Sequence, residues 1–533
     1  MRKIIALVLV LTLLSVSGGT EAFNHQGGGE YGNDITYSGI NLTGYQWITM
    51  MCDDWGGGVR GQIANATEYY ELVEKGVNGG GYWQNNTLES VSDLDDYFAV
   101  LAEHPGSVVT ANFVMDFMNG TAMLANGFTE FVGIPINKTG FIEETKYNSS
   151  SDNYRGDLAP KWIEGYTEGY WLPQYHGLTH TDMDWILQNA SEGCATTIDI
   201  VVNHSIGVDS LPGTDFTTLG KDEYTNNPLL TIELGYTNKT TEQVQENLSI
   251  GLAEFYDLFG FHSESTVCPS YFYSNDTLAA FRNTTIYGAW GLPAYGFNDT
   301  GGYDTWDWYM LDYFDGISIS SSEISIDRKN LTHLTTIMND INATFGRGQV
   351  ATIHDHRIGY TTGIRDTTFP GEVEAKLIFL DALLTGIETW YPNAWFLTGP
   401  ELHQLNINGY SIQNWTDKVV VRNALPTTQS ITVNLPEGWN SNTIRITDDD
   451  GVVRGYNTQS LSQIVVNTPH NDTLTIREFN YPPSYTGGEE IIESPVEEVP
   501  EESNDFCCGS VTAVVASCVS WLGLVGYTRR RRS

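Results

Sequence analysis

The chain predicts an α/β protein: a (β/α) barrel, distorted or incomplete, followed by a small all-β sandwich domain and a C-terminal transmembrane helix. Three observations predict it. Short apolar runs alternate with helical patterns from about residue 45 to 405, short alternating strands take over from about residue 406, and an uncharged apolar stretch near the C-terminus runs into four arginines.

The elements follow in order. Residues 1–22 read as a secretory signal peptide, with Arg2 and Lys3, the apolar run Ile4 to Leu14 and a cleavage site after Ala22. YQWITMMC ends in Asp53 and Asp54, SVVTANFVMDF (107–117) is rich in β-formers, and GYWLPQYHG (169–177) ends at His176. TDMDWILQNASEG reads as a helix capped by Thr181 or Asp182 and closed by Gly193. VQENLSIGLAEFYDLFG places Val244, Leu248, Leu252, Phe255 and Phe259 on one helical face, and Gly260 stops it before FHSESTVC. DGISISS (315–321) is a further strand. A helix from about Arg328 to Phe345 leads into QVATIH, and GEVEAKLIFLDALLTGIETWYP (371–392) is a long helix before AWFLT. Roughly seven such units favour a closed or nearly closed barrel over a doubly wound sheet.

KVVVRNAL, QSITVNL, NTIRITDDDG and DTLTIREF form the sandwich, 406–480. Then come an acidic Pro/Glu linker (481–508), the transmembrane helix (509–528) and a basic cytoplasmic tail (529–533). The positive-inside rule puts the body outside the cell, held at the surface. About 17 Asn-x-Ser/Thr sequons, where roughly 6 would arise by chance, agree with an exported glycoprotein.

Among 533 residues, 66 acidic against 26 basic side chains give a net charge of −40. Nucleic acid and anionic lipid would be repelled by such a body, so a cation or a neutral polymer such as a polysaccharide is the expected partner. The oligomeric state is not encoded in any motif. Six cysteines form no framework: Cys52, Cys194 and Cys268 lie far apart in the body, leaving room for one disulfide and an odd thiol.

Barrel chemistry sits on the loops at the C-terminal ends of strands, and three candidates lie at such ends: Asp53 with Asp54, His176 with His180, and His354 with His356. Two histidines spaced HxxxH at a helix start would share one face and grip one metal ion, with a carboxylate as third ligand, a set that suits Zn²⁺. Adjacent aspartates would normally point to opposite faces, so the strand must give way to a loop there, using the following glycines. DD before WGGG also reads as an exposed turn. His354 and His356 share a parity and could both face the barrel mouth, with Asp355 turned away or orienting one of them; a histidine there can protonate a leaving group. His204 reads as structural. The aromatic stretch GYDTWDWYMLDYFDG (302–316) reads as a sugar-stacking surface or a core stripe.

In this order, DD, then HxxxH, then a late strand ending in histidine, the chain resembles the polysaccharide deacetylase family over roughly residues 45–405. These are carbohydrate esterases that remove N- or O-acetyl groups from sugar polymers. QYHGLTH, CPSYFYSNDTLAAFRN and IHDHRIGYTTG resemble a divergent bacterial and archaeal branch of it. The resemblance implies Asp53 as general base, Asp54, His176 and His180 as ligands of a divalent metal, and His354 as general acid with His356 as its rival. Two features depart from the family: Val267-Cys268 stands where an arginine beside the base is expected, and CDDWG replaces TFDDG. A catalytically inactive relative that binds glycan, or serves as an envelope component, is the alternative. A glycoside hydrolase would need carboxylates placed across the sugar bond rather than adjacent ones.

Overall fold

A computed structural model of the chain describes residues 44–57, 63–74, 87–180, 183–204, 240–293, 311–314, 317–320, 324–364 and 369–479. Its strands, in chain order, begin with β1 (Trp47–Gly56), β2 (Val109–Val114), the short hairpin β3 (Asp116–Met118) and β4 (Gly133–Pro135), and β5 (Trp171–Tyr175). Then come β6 (Ser265–Tyr273), β7 (Gly288–Pro293), β8 (Leu311–Phe314), β9 (Ile317–Ser320), β10 (Ile324–Ser325), β11 (Ala351–His356) and β12 (Trp395–Leu397).

The main sheet runs β10-β11-β1-β2-β5-β6-β7-β9-β8, with β12 also pairing β1. All its pairs are parallel except β8 with β9. β1 lies in the middle, which explains its run of ten buried residues: a parallel strand covered on both faces has no polar side to offer. Ile48, Met50 and Cys52 point outward into the main core, beneath helices such as Val91–Ala102 and Glu372–Trp390, whereas Trp47 and Met51 point inward to a second cluster.

The sheet bears out an incomplete barrel: among the described residues β10 and β8 end it without pairing, giving a half-barrel of eight parallel strands along this order, with β12 a further parallel strand against β1. β10 is only two residues long and β8 runs antiparallel, so neither edge offers a parallel ladder to the other. The expected transmembrane helix needs correction, since no helix among the described residues is long and apolar enough to cross a membrane; segment 509–528 lies outside them. The possible body disulfide is also absent: Cys52, Cys194 and Cys268 are free thiols.

Strands β13 (Tyr410–Asn414), β14 (Val419–Asn423), β15 (Gln429–Asn434), β16 (Ile444–Asp448), β17 (Tyr456–Ser460), β18 (Gln463–Thr468) and β19 (Asp472–Glu478) follow. They form two antiparallel sheets, β13-β14-β19-β16 and β15-β18-β17. Alternating residues such as Ile431, Val433, Ile444, Ile446, Ile464, Val466, Leu474 and Ile476 fill a core of their own between them.

Between half-barrel and sandwich, helix Gly399–Asn408 plugs the N-terminal ends of the strands. Thr398 caps it, and the Gly399 amide donates to Thr110 Oγ1 at 2.8 Å. Its Leu402 and Leu405 join the inner cluster of Trp47, Met51, Val267 and Trp290. His403 lies 2.7 Å from Ser318 Oγ, and its ring meets Trp290 edge-on at 4.4 Å. Gly288, the first residue of β7, permits this approach, because a Cβ there would stand 2.1 Å from the His403 ring. Gly288→Ala should therefore destabilise the protein by about 1–3 kcal/mol in denaturant unfolding. Burial pushes His403 down from 6.5 to about 3. Because the unfolded chain then binds a proton that the folded chain refuses, stability should fall as pH drops from 6.5 towards 3, less steeply in His403→Gln.

Candidate metal centre

The two adjacent aspartates reach the same side of the sheet through a bulge. Cys52 faces Ala111 and Trp55 faces Phe113, so β1 carries one residue more than β2 over this stretch. Asp54 takes up the extra residue with φ 70°, in the left-handed region that Asp tolerates better than most side chains. The inside-outside alternation slips by one at this point: Trp55, rather than Asp54, joins Cys52 in the outer core, its ring against Trp171 at 4.9 Å. The expectation that the strand gives way to a loop is corrected, since β1 remains a strand to Gly56.

Asp54 meets both histidines of QYHGLTH. Its Oδ1 stands 3.5 Å from His176 Nε2 and 3.5 Å from His180 Nε2, and all three side chains are buried. That spacing is at the outer limit of hydrogen bonding. It matches two atoms that each sit about 2.1 Å from a shared tetrahedral cation, which would stand about 3.4 Å apart. His176 Nδ1 donates to the Val267 carbonyl at 2.6 Å, which fixes the tautomer and leaves Nε2 with its lone pair towards Asp54. Burial opposes charge on His176, but Asp53 and Asp54 outweigh it and raise its pKa. The donor set therefore fits a divalent ion.

The helical reading of HxxxH is corrected. His176 directly follows β5, and residues 176–180 form a loop, with Gly177 at φ 105° and His180 at φ 68°. Neither angle is compatible with a right-handed helix. The loop instead runs on beside β2: the His176 amide donates to Phe113, and the amides of Met115 and Asp116 donate to Gly177 and Leu178. The following helix spans Met183–Ser191, while Thr181 and Asp182 lie outside the described residues.

Asp53 faces the other pair. On β11, Met51 is opposite His354 and Asp53 is opposite His356. His354 Nε2 stands 3.9 Å from Asp53 Oδ2, and ligating atoms of Asp53, His354 and His356 lie within 4.8 Å of one another. Two residues that no motif marked complete the group. Asn112, inward-facing on β2, donates to Asp53 Oδ1 at 2.7 Å. Asp327, just beyond β10, holds His356 Nδ1 with both carboxylate oxygens at 3.0 and 3.1 Å. Burial disfavours the charged form of His356, yet Asp327 pushes its pKa up to about 9; His354, buried beside that imidazolium, is pushed down to about 4.

Alternation sends Asp355 outward, where it pairs with Lys376 at 2.7 Å and accepts from the Tyr360 hydroxyl. Arg357, fully buried, pairs with Glu89 at 2.5 Å. The pair clamps the end of the bulge through both main-chain groups of Gly56: its amide donates to Glu89 Oε1, and its carbonyl accepts from Arg357, each at 3.1 Å. A second donor, Trp162 Nε1, reaches Glu89 Oε1 at 2.9 Å. His204 ends a π-helical turn, Ile200–His204, and the stretch 302–310 lies outside the described residues.

No family description matches the chain, and no curated protein does. Among solved structures it is similar to Agd3, described as a novel carbohydrate deacetylase, at 12% identity over 82% of this chain and 65% of that one, with a TM-score of 0.36. It is similar to the Xyl-CE4 domain of a multidomain xylanase from the hindgut metagenome of Trinervitermes trinervoides, at 10% identity over 67% and 90%, TM-score 0.27. It is also similar to BA3943, a CE4 family pseudoenzyme from Bacillus anthracis, at 6% identity over 67% and 64%, TM-score 0.27.

Arg357→Met should cost about 3–5 kcal/mol in denaturant unfolding, because it leaves the Glu89 charge buried. Adding Glu89→Gln, which retains Oε1 as acceptor for Gly56 and Trp162, should recover part of that loss.

Proposed function

We propose that the protein is a metal-dependent hydrolase that removes acetyl groups from a polysaccharide. The observation that carries this reading is the division of labour across the bulge, with Asp54 beside two ligand-type imidazoles and Asp53 beside an Asp–His pair. Asp54, His176 and His180 would hold a divalent cation, and one carboxylate with two imidazoles suits Zn²⁺. Such an ion, when bound, supplies Lewis-acid polarisation of the acyl carbonyl and a lowered pKa for water.

The chain's own groups supply the proton transfers. Asp53, kept in place by Asn112, accepts the proton of the attacking water as that water adds to the acyl carbon. The bond from the acyl carbon to the sugar nitrogen or oxygen then breaks, acetate departs, and the sugar atom receives a proton from His356. Asp327 on Nδ1 leaves the opposite nitrogen of His356 to donate, so His356 suits the acid role better than His354. Asn112 also answers the missing arginine: a neutral donor, rather than a cation, orients the base. Action outside the cytoplasm belongs to the same proposal, supported by the Arg2–Leu14 pattern and the sequons.

The test is acetate release from a panel of acetylated glycans by the metal-loaded full chain. Asp53→Asn should retain the ion at Asp54 and lose about 10²–10⁴ in kcat, whereas Asp54→Ala should lose the ion shared with His176 and His180, read by elemental analysis as a lower metal content than wild type at equal loading. Metal content unchanged in Asp54→Ala, or no acetate from any glycan by the protein loaded with one equivalent, would overturn the proposal. Since His356 must be protonated to act, the wild-type rate should fall as pH rises through about 9, and Asp327→Asn should move that alkaline limb to lower pH.

A further inference from the structure

We infer that Asp53, His354 and His356 form a second, inhibitory site for an imidazole-seeking divalent cation such as Zn²⁺, beside the one at Asp54. Its ligating atoms, like those of the Asp54, His176 and His180 set, lie within 4.8 Å of one another, and all three residues are buried. The two imidazole rings stand 4.4 Å apart, at 76° to one another, on one face of β11. Each flank of the site is anchored from outside it: Asn112 holds Asp53 Oδ1, leaving Oδ2 towards His354, and Asp327 holds His356 Nδ1, leaving Nε2 as the ligating nitrogen. A carboxylate behind a histidine is the arrangement that orients a metal-binding imidazole. Two imidazoles and a carboxylate favour Zn²⁺, Cu²⁺ or Ni²⁺ over Mg²⁺ or Ca²⁺.

Repulsion between neighbouring dications weakens binding of whichever ion enters second. Its effect on turnover rests on the proposed deacetylase reading, whereas its existence does not. A carboxylate that binds an ion cannot accept a proton from water, and an imidazole nitrogen that binds one cannot donate a proton to a leaving group. Filling the site therefore removes base and acid together. One ion per chain supports turnover, and a second stops it.

The experiment strips the full chain with a chelator, titrates Zn²⁺ back, and measures bound zinc by equilibrium dialysis with elemental analysis, alongside acetate release. Wild type should bind two ions in separate steps, with activity rising on the first and falling about a hundredfold on the second. His354→Gln and His356→Gln should each keep the first step and lose the second, while Asp54→Ala should keep only the second. Co²⁺ in place of Zn²⁺ should give two successive sets of visible absorption bands in wild type and one in each variant. Saturation of wild type at one ion, or a second step that survives in both histidine variants, would overturn the inference. Failure of the deacetylase reading looks different: two ions bind in wild type, but no acetate appears at any zinc loading.

Discussion

The bulge at Asp54 is the constraint on which the site depends. An aspartate with φ 70° in the middle of a buried parallel sheet is strained by about 1–3 kcal/mol and persists only where its surroundings hold it. Here a buried ion pair provides that hold, with Glu89 and Arg357 each taking one main-chain group of Gly56. Glu89 directly precedes Ser90, the cap of helix Val91–Ala102, and Arg357 directly follows His356. The clamp thus joins the ends of β1 and β11 to a helix start, so that Asp53, Asp54 and His356 share one rigid frame.

Charge is sorted by the two faces of these strands. On the outward side each carboxylate has a permanent cation, Asp355 with Lys376 and Glu89 with Arg357. On the inward side Asp53, Asp54 and Asp327 each stand beside imidazoles. Buried carboxylates are costly without positive charge nearby, and imidazoles give it only in part and only at some pH values. An interior arranged in this way favours a mobile cation where the exterior face has already satisfied itself.

Much of this was legible in the sequence, and the limits have physical causes. Asp53, Asp54, His176, His180, His354 and His356 stood out because chemically reactive residues ended apolar runs, and strand ends are where a parallel sheet exposes its functional groups. Asp327, Asn112 and Glu89 carry no such mark. Each is a single polar residue whose role arises from a neighbour 29 to 268 positions away. The HGLTH loop shows the opposite failure, where a spacing fitted a helix but the glycine within it allowed another path. Closure of the barrel was illegible because it turns on the length of β10 and the direction of β8, neither of which the pattern of apolar runs specifies.

Helix Gly399–Asn408 blurs the border that the sequence draws near residue 405. It opens with its cap at Thr398, contributes Leu402 and Leu405 to the inner cluster, and ends at Gly409, one residue before the first sandwich strand. Its side chains also reach the other way: Glu401, near its start, pairs with Arg422 on β14. The sandwich is consequently not a portable module that can be trimmed or exchanged at a linker. In the history of such a chain, half-barrel and sandwich would be inherited together, because the segment that joins them also packs into the inner core of the half-barrel.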